Sequence, residues 1–212
     1  MIKTIKSNYL WIIFFICVLL FLALAEEVFT HEIMKGDIIG YNLVSKYLIK
    51  TNITPIVKYI TWFGSATCLI IISLLTFILK NKKISMCILS NLVIITILNQ
   101  LFKFIFERPR PTEYRIITET GYSFPSGHSM VSMAFYGYII YLIYKKVNNK
   151  YIKWLVISIL SLLIISIGIS RIYLGVHYTS DVLAGFLISI SYLIIYIKYT
   201  KKIIDKDNNY EK

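Results

Sequence analysis

Charge is the first thing this sequence lacks. Only 16% of its 212 residues are Asp, Glu, Lys or Arg, against roughly a quarter in soluble domains, which sets aside a water-soluble globular fold. Acids are scarcer than bases, 11 against 23. Among the bases, arginine is rare and confined to Arg108, Arg110, Arg115 and Arg171. Cysteine is nearly missing: Cys17, Cys68 and Cys87 are odd in number and fall inside apolar runs. They read as small packing residues, and no disulfide framework is implied. No cluster of Asp, Glu and His has metal-ligand spacing, so no metal or other cofactor is expected. A small-x-small cleavage site is also wanting after the first apolar run, where Ala25 precedes Glu26 and Glu27. That run is therefore expected to stay as a helix. Internal repeats are absent, and one domain is expected over 1–212.

What is present in their place is apolar chain. Hydrophobic residues make up 57% of the sequence, arranged in blocks that approach the roughly 20 residues needed to cross a bilayer. Six spans are expected, near 9–25, 57–79, 84–106, 127–145, 153–170 and 181–199. A flexible tail is expected over 200–212. The last three blocks are shorter or flanked by charge, and reach spanning length if those flanks snorkel to the interface. Too little amphipathic helix exists elsewhere to wrap them as the core of a soluble domain. The fold class is thus all-α, an integral membrane bundle of six helices. Trp11, Trp62 and Trp154 near helix ends fit an aromatic belt. Between 26 and 58, Ile33, Ile38, Ile39, Leu43, Tyr47 and Leu48 suit one face of a short interfacial helix.

The net charge of +12 points to a membrane and not to nucleic acid, because of where it lies. Six spans put both termini on one side, together with the turns 80–83 and 145–153. That side carries most of the lysines and only Asp205, Asp207 and Glu211 as acids. Cytoplasmic loops collect positive charge, so both termini are expected in the cytoplasm. All four arginines then fall on the opposite face, against that bias. Guanidinium is favoured where planar, multidentate recognition of phosphate matters.

Three segments meet on this outer face. KFIFERPRP ends the third span with Lys103, Arg108, Arg110 and Pro111; YSFPSGH opens the fourth with Tyr122, Pro125, Ser126, Gly127 and His128. SRIYLGVHYTSD joins the last two with Ser170, Arg171, His177 and Asp181. Each has a bland reading: a snorkelling lysine, a turn before a helix, a capping pair. Convergence at one depth is what those readings leave unexplained. As chemistry the set suits phosphoryl transfer. Lys103, Arg110 and Arg171 supply charge for the equatorial oxygens. The N–H groups of Ser126 and Gly127 precede a helix and can face an anion. His177 can act as nucleophile with Asp181 holding its other ring nitrogen, and His128 remains as acid and base.

These motifs resemble the three-part signature of the type 2 phosphatidic acid phosphatase superfamily: Lys, six residues, Arg-Pro; Pro-Ser-Gly-His; Ser-Arg, five residues, His, three residues, Asp. Every motif position is matched, and TWFGS at Thr61–Ser65 is a weaker echo. The resemblance implies a phosphohistidine at His177 and His128 as acid/base. It implies phosphate binding by Lys103, Arg110, Ser126, Gly127, His128 and Arg171, and no metal requirement. Arg108, Pro125 and Tyr122 are auxiliary candidates; Arg115 and Glu107 have no expected role. The expected activity is hydrolysis of a lipid phosphate or diphosphate at the outer leaflet of a bacterial cell membrane. Undecaprenyl diphosphate and phosphatidylglycerophosphate are ranked together, ahead of phosphatidic acid. A lipid-to-lipid phosphotransferase is the alternative with the same chemistry. A transporter or lipid-binding protein is the alternative of another class, disfavoured because a binder needs no nucleophile–orienter pair. Oligomeric state is not legible.

Overall fold

The structure, a computed structural model, describes residues 2–30, 33–49, 52–78, 81–113 and 115–207. They form eight α-helices and no strand among the described residues: α1 (Ile2–Phe29), α2 (Lys35–Leu48), α3 (Thr54–Trp62), α4 (Ala66–Leu75), α5 (Lys82–Phe106), α6 (Gly127–Lys146), α7 (Lys150–Tyr173) and α8 (Thr179–Asp207). A short 3-10 turn over Thr76–Ile78 closes α4.

The bundle is built around α6, which packs against α5, α7 and α8, while α1 lies on the outer side of α8. Its Met130, Ala134, Phe135 and Tyr138 are buried in one apolar cluster with Ile95 of α5 and Ile167 of α7. Side chains pointing away from α6 are exposed and apolar, as Phe15 and Leu19 on α1, Phe104 on α5 and Leu162 on α7. An apolar exterior of this kind faces lipid.

Four helical segments are long and apolar enough to span: Tyr9–Phe29, Lys82–Phe106, Lys150–Tyr173 and Thr179–Asp205. The expected span 57–79 is not one rod. It is broken at Phe63–Ser65 into α3 and α4, which bend by 48° and count as a fifth crossing only if taken together. The break has a local cause, since the Ser65 hydroxyl accepts the Cys68 N–H and starts α4 afresh. The expected fourth span corresponds to α6, which is 20 residues long and is not among the helices apolar enough to qualify. Its neighbours shield it from lipid, so it tolerates Ser129, Ser132 and several tyrosines. The first helix runs on through Glu26 and Glu27 to Phe29. At the other end α8 continues to Asp207, with Thr200 and Ile204 buried, so helix replaces the flexible tail expected from 200. Residues 208–212 lie outside the described residues. A short helix does form within 26–58: it is α2, whose Ile38, Ile39, Leu43 and Tyr47 are exposed while Asp37 is buried.

Helices α6 and α8 approach at Gly185. A Cβ there would lie 3.1 Å from both the Met130 nitrogen and the Ser126 oxygen, backbone atoms that cannot swing aside. Gly36, by contrast, has nothing within 4 Å of such a position. Gly185→Ala is expected to destabilise by about 1–3 kcal/mol, and Gly36→Ala to be neutral or slightly stabilising. Thermal unfolding of the detergent-solubilised proteins checks both.

Candidate active site

Local turns deliver the site residues to one end of the bundle. Helix α5 stops at Glu107, whose N–H still reaches the Lys103 carbonyl while its left-handed backbone (φ 45°) turns the chain out of the helix. The chain then crosses the bundle end, where Ser123 N–H donates to the Arg108 carbonyl at 2.8 Å. Phe124 fills an apolar pocket against Phe21 and Phe106 and so anchors the turn into α6. Asn99 of α5 supports this turn by donating to the Pro125 carbonyl at 3.2 Å. After α7 the chain reverses at Gly175 (φ 68°), a conformation that favours glycine. That reversal carries His177 inward, ahead of α8.

His177 is 4% exposed. Its Nε2 lies 3.1 Å from Arg110 Nη1. Guanidinium only donates, so Nε2 is the acceptor and Nδ1 bears the proton. The Nδ1–H is shared between Ser123 Oγ at 3.2 Å and Asp181 Oδ2 at 3.4 Å. Asp181 is fully buried and both of its carboxylate oxygens accept hydrogen bonds. Ser123 Oγ donates to Oδ2, as does the Tyr178 N–H at 2.8 Å, and Arg108 Nη1 donates to Oδ1 at 2.6 Å. The bond expected between His177 and Asp181 therefore exists, but it is long and shared with a serine. Burial pushes the His177 imidazole down to about 4, Arg171 and Arg110 push the same way, and Asp181 offsets part of this. The result is a neutral imidazole with an unprotonated, outward-facing Nε2.

The cations divide into two groups. Lys103, Arg110 and Arg171 lie within electrostatic reach of His128, and Arg110 and Arg171 of His177 as well. Lys103 Nζ would lie 4.0 Å from a Cβ placed on Gly127, so ammonium and helix start share one wall. Arg171 is 1% exposed; it donates to Thr61 Oγ1 at 2.8 Å and to Glu119 Oε1 at 2.6 Å. Its buried Nε has no partner among the described residues, an orphan donor at an otherwise satisfied residue. Arg110 also ties the loop together, through the Thr120, Gly121 and Val176 carbonyls. Arg108 belongs elsewhere. Its two ends are held by Asp181 and Asp37 and its face lies 4.1 Å from the Tyr178 ring centroid. Burial opposes its charge, yet Asp181 and Asp37 raise its pKa above the ordinary value. It organises carboxylates and does not face the anion space.

The opening of α6 corrects one expectation. The Ser126 N–H is directed to the Asp181 carbonyl at 3.0 Å, so it is not available to an anion. Gly127 and His128 begin the helix, and their N–H groups belong to a first turn without intrahelical acceptors. His128 is within electrostatic reach of Lys103, Arg110, Arg171 and His177. Gly64 of the TWFGS run makes room for it, since a Cβ there would sit 3.2 Å from His128 Cδ2. Pro125 and Tyr122 are framework and rim: Tyr122 lines the cavity beside Lys103.

Asp37, Thr61, Glu119 and Ser123 were not among the expected site residues. Glu119 brings a carboxylate into the cation cluster, and Arg171 and Arg110 hold its pKa low although burial opposes this. Arg115 braces the same loop through the Pro111 and Arg110 carbonyls.

Two cavities reach the site. The larger, about 790 Å³, is lined by Ile97, Leu101, Lys103 and Phe104 of α5 and by Arg110, Glu119 and Tyr122. Leu101 and Phe104 are exposed on the lipid side, so this cavity opens sideways. The smaller, about 360 Å³, touches His177 from α2, between Asp37, Asn42, Glu113 and Tyr178. Among the described residues no group of His, Cys, Asp and Glu is placed to hold a metal ion.

With His177 buried among cations, its ring is expected to stay neutral until the pH falls to about 4. Histidine-labelled NMR in detergent checks this; titration near the ordinary value of about 6.5 would contradict the geometry.

The fold and the sequence have counterparts among known proteins. A solved phosphatidylglycerolphosphate phosphatase from Bacillus subtilis superposes with a TM-score of 0.76 at 27% identity, covering 88% of this chain and 95% of that one. Aquifex aeolicus LpxE gives 0.61 at 25% identity over 75% and 93%. In sequence, the chain is 29% identical to phosphatidylglycerophosphatase B of Bacillus subtilis over 87% of this chain and 93% of the relative. It is 28% identical to an undecaprenyl-diphosphatase of Sulfolobus acidocaldarius over 92% and 94%. Residues 84–205, more than half of the chain and the stretch that carries all three motifs, match the PAP2 superfamily model, and the protein belongs to that superfamily.

Proposed function

We propose that the protein is a membrane phosphatase that hydrolyses a lipid phosphate or diphosphate through a phosphohistidine at His177, without a metal. The observation that carries this is the tautomer. Arg110 at Nε2 together with Ser123 and Asp181 at Nδ1 leaves a neutral imidazole whose lone pair faces the cation cluster. Nε2 attacks phosphorus, the bond from phosphorus to the leaving oxygen breaks, and His128 protonates that oxygen. Asp181 then faces a ring with protonated Nδ1 and positive character, which it stabilises. In the second step His128 takes a proton from water, water attacks phosphorus, and the N–P bond breaks to return His177 and inorganic phosphate. Lys103, Arg171 with its orphan Nε, and the N–H groups of Gly127 and His128 stabilise the equatorial oxygens. The hydrogen bond that Arg110 Nη1–H gives to Nε2 shifts to a phosphoryl oxygen as the N–P bond forms, with the proton staying on the guanidinium.

The sideways cavity supports a substrate whose tail stays in lipid while its headgroup reaches Lys103 and Arg110. Six crossings, with α3 and α4 taken as one bent span and α6 counted as shielded, put both termini on the lysine-rich side. The cytoplasm is that side, and the site then faces outward from the cell membrane. Phosphatidylglycerophosphate and undecaprenyl diphosphate are the favoured headgroups, in line with the relatives' activities.

The test is phosphate release by purified protein in excess EDTA, from phosphatidylglycerophosphate, undecaprenyl diphosphate and phosphatidic acid. Wild type is expected to release phosphate, with rates that rank the lipids. His177→Ala is expected to show no release above background while remaining folded. His128→Ala is expected to lose about 10²–10⁴-fold in kcat. Activity that disappears in EDTA and returns with Mg²⁺ would overturn the mechanism. Phosphate transferred to a second lipid without release would make the protein a phosphotransferase.

A further inference from the structure

The buried carboxylate of Asp37 lies outside all three motifs and outside the matched residues 84–205, on the short helix α2. It is nonetheless connected to His177 through only two residues, Arg108 and Asp181. Its Oδ2 accepts from Arg108 Nη2 at 2.9 Å, and Arg108 Nη1 donates to Asp181 Oδ1 at 2.6 Å and to Ser180 Oγ at 2.8 Å. Its Oδ1 accepts the Ser180 N–H at 2.8 Å, one of the orphan donors at the start of α8. The side chains of Arg108, Asp37 and Asp181 are 6%, 1% and 0% exposed. Helix α2 is seated closely on α8, for a Cβ on Gly40 would overlap Thr179. The chain Asp37–Arg108–Asp181–His177 thus alternates in charge from α2 to the imidazole.

We propose that Asp37 is a positioning residue for the reaction: through Arg108 and the Ser180 amide it fixes the Asp181 carboxylate against His177, making α2 part of the active site. This rests on the phosphohistidine reading above. The physical reason is a competition. A guanidinium shared between two carboxylates leaves Asp181 free to stabilise positive charge on His177. With Asp37 neutral, the full charge of Arg108 falls on Asp181, and the carboxylate is drawn along Oδ1 towards Arg108. Less of it then remains for the Nδ1–H, and His177 is both less well oriented and less well stabilised as it becomes phosphorylated. None of these atoms touches the lipid cavity along α5, so substrate binding is separate from the effect.

Asp37→Asn keeps the shape and the acceptor for Ser180 while removing the charge. It is expected to lower kcat about 10–100-fold, the range for partners that orient a reacting group through another residue, with KM changed less than about threefold. If Asp37 acts through Arg108, the two positions are coupled. Asp37→Asn combined with Arg108→Gln is then expected to be no slower than Arg108→Gln alone. Asp37→Ser, which also retains an acceptor, serves the same comparison if Asp37→Asn does not purify folded. A wild-type kcat in a folded Asp37→Asn would overturn the inference, as would losses that multiply in the double variant. Loss confined to the unfolding midpoint would overturn it too, since that is what a purely structural residue gives. Wild type that releases no phosphate in the same assay would instead overturn the phosphatase reading and take this inference with it.

Discussion

One carboxylate with no access to water governs the site end of this bundle. An isolated charge as buried as Asp181 is unfavourable by several kcal/mol, so the fold has to surround it with donors. Arg108, Ser123, the Tyr178 amide and His177 all turn towards it. Arg108 in turn is shared between Asp181 and a second buried carboxylate, Asp37. Each solution creates the next requirement, and the chain of requirements draws α2, the loop after α5 and the start of α8 into one network. The same network leaves a single polar group pointing the other way, Nε2 of His177. Chemistry and stability therefore rest on the same contacts.

The two faces of that histidine have different neighbours. Behind Nδ1 lie Asp181 and Ser123; on the Nε2 side Arg110 is in contact and Arg171 is within electrostatic reach, with Glu119 bonded to Arg171. Such a gradient favours movement of negative charge from substrate towards the cation side while positive character on the ring is met from behind. The cavity along α5 reaches the cation side from the lipid. A headgroup entering there would meet Lys103 and Arg110, which line it, before His177, which does not. An apolar entrance and a charged interior are the natural arrangement for a substrate that is both lipid and anion.

Much of this was legible in the sequence, for reasons that can be located. Lys103 to Arg110, Pro125 to His128 and Arg171 to Asp181 are short-range spacings, and a turn or two of helix fixes where such residues point. What escaped notice are pairings with no local spacing. Asp37 with Arg108, and Glu119 and Thr61 with Arg171, join segments that only the tertiary fold brings together. Ser123 was within reach, lying in YSFPSGH between residues that were singled out. The weak TWFGS signal had more content than expected, since Thr61 holds Arg171 and Gly64 accommodates His128. Ser126 shows the opposite case. Its N–H suited an anion by position, but the Asp181 carbonyl takes it. In the bundle, apolarity identified the lipid-facing helices well. It gave no warning of the break at Phe63–Ser65 or of the protein-shielded character of α6, because a helix covered by other helices is under no pressure to be uniformly apolar.

The most direct measurement of the central claim is chemical trapping of the covalent intermediate. Purified protein would be mixed with a lipid carrying labelled phosphate, quenched within milliseconds, and digested for peptide mapping. The expected result is label on the peptide containing His177, stable in alkali and lost in acid, as a phosphoramidate is. Label on another residue would contradict the assignment of the nucleophile. Turnover with no labelled protein at any quench time, in wild type and His128→Ala alike, would mean that water attacks the lipid directly.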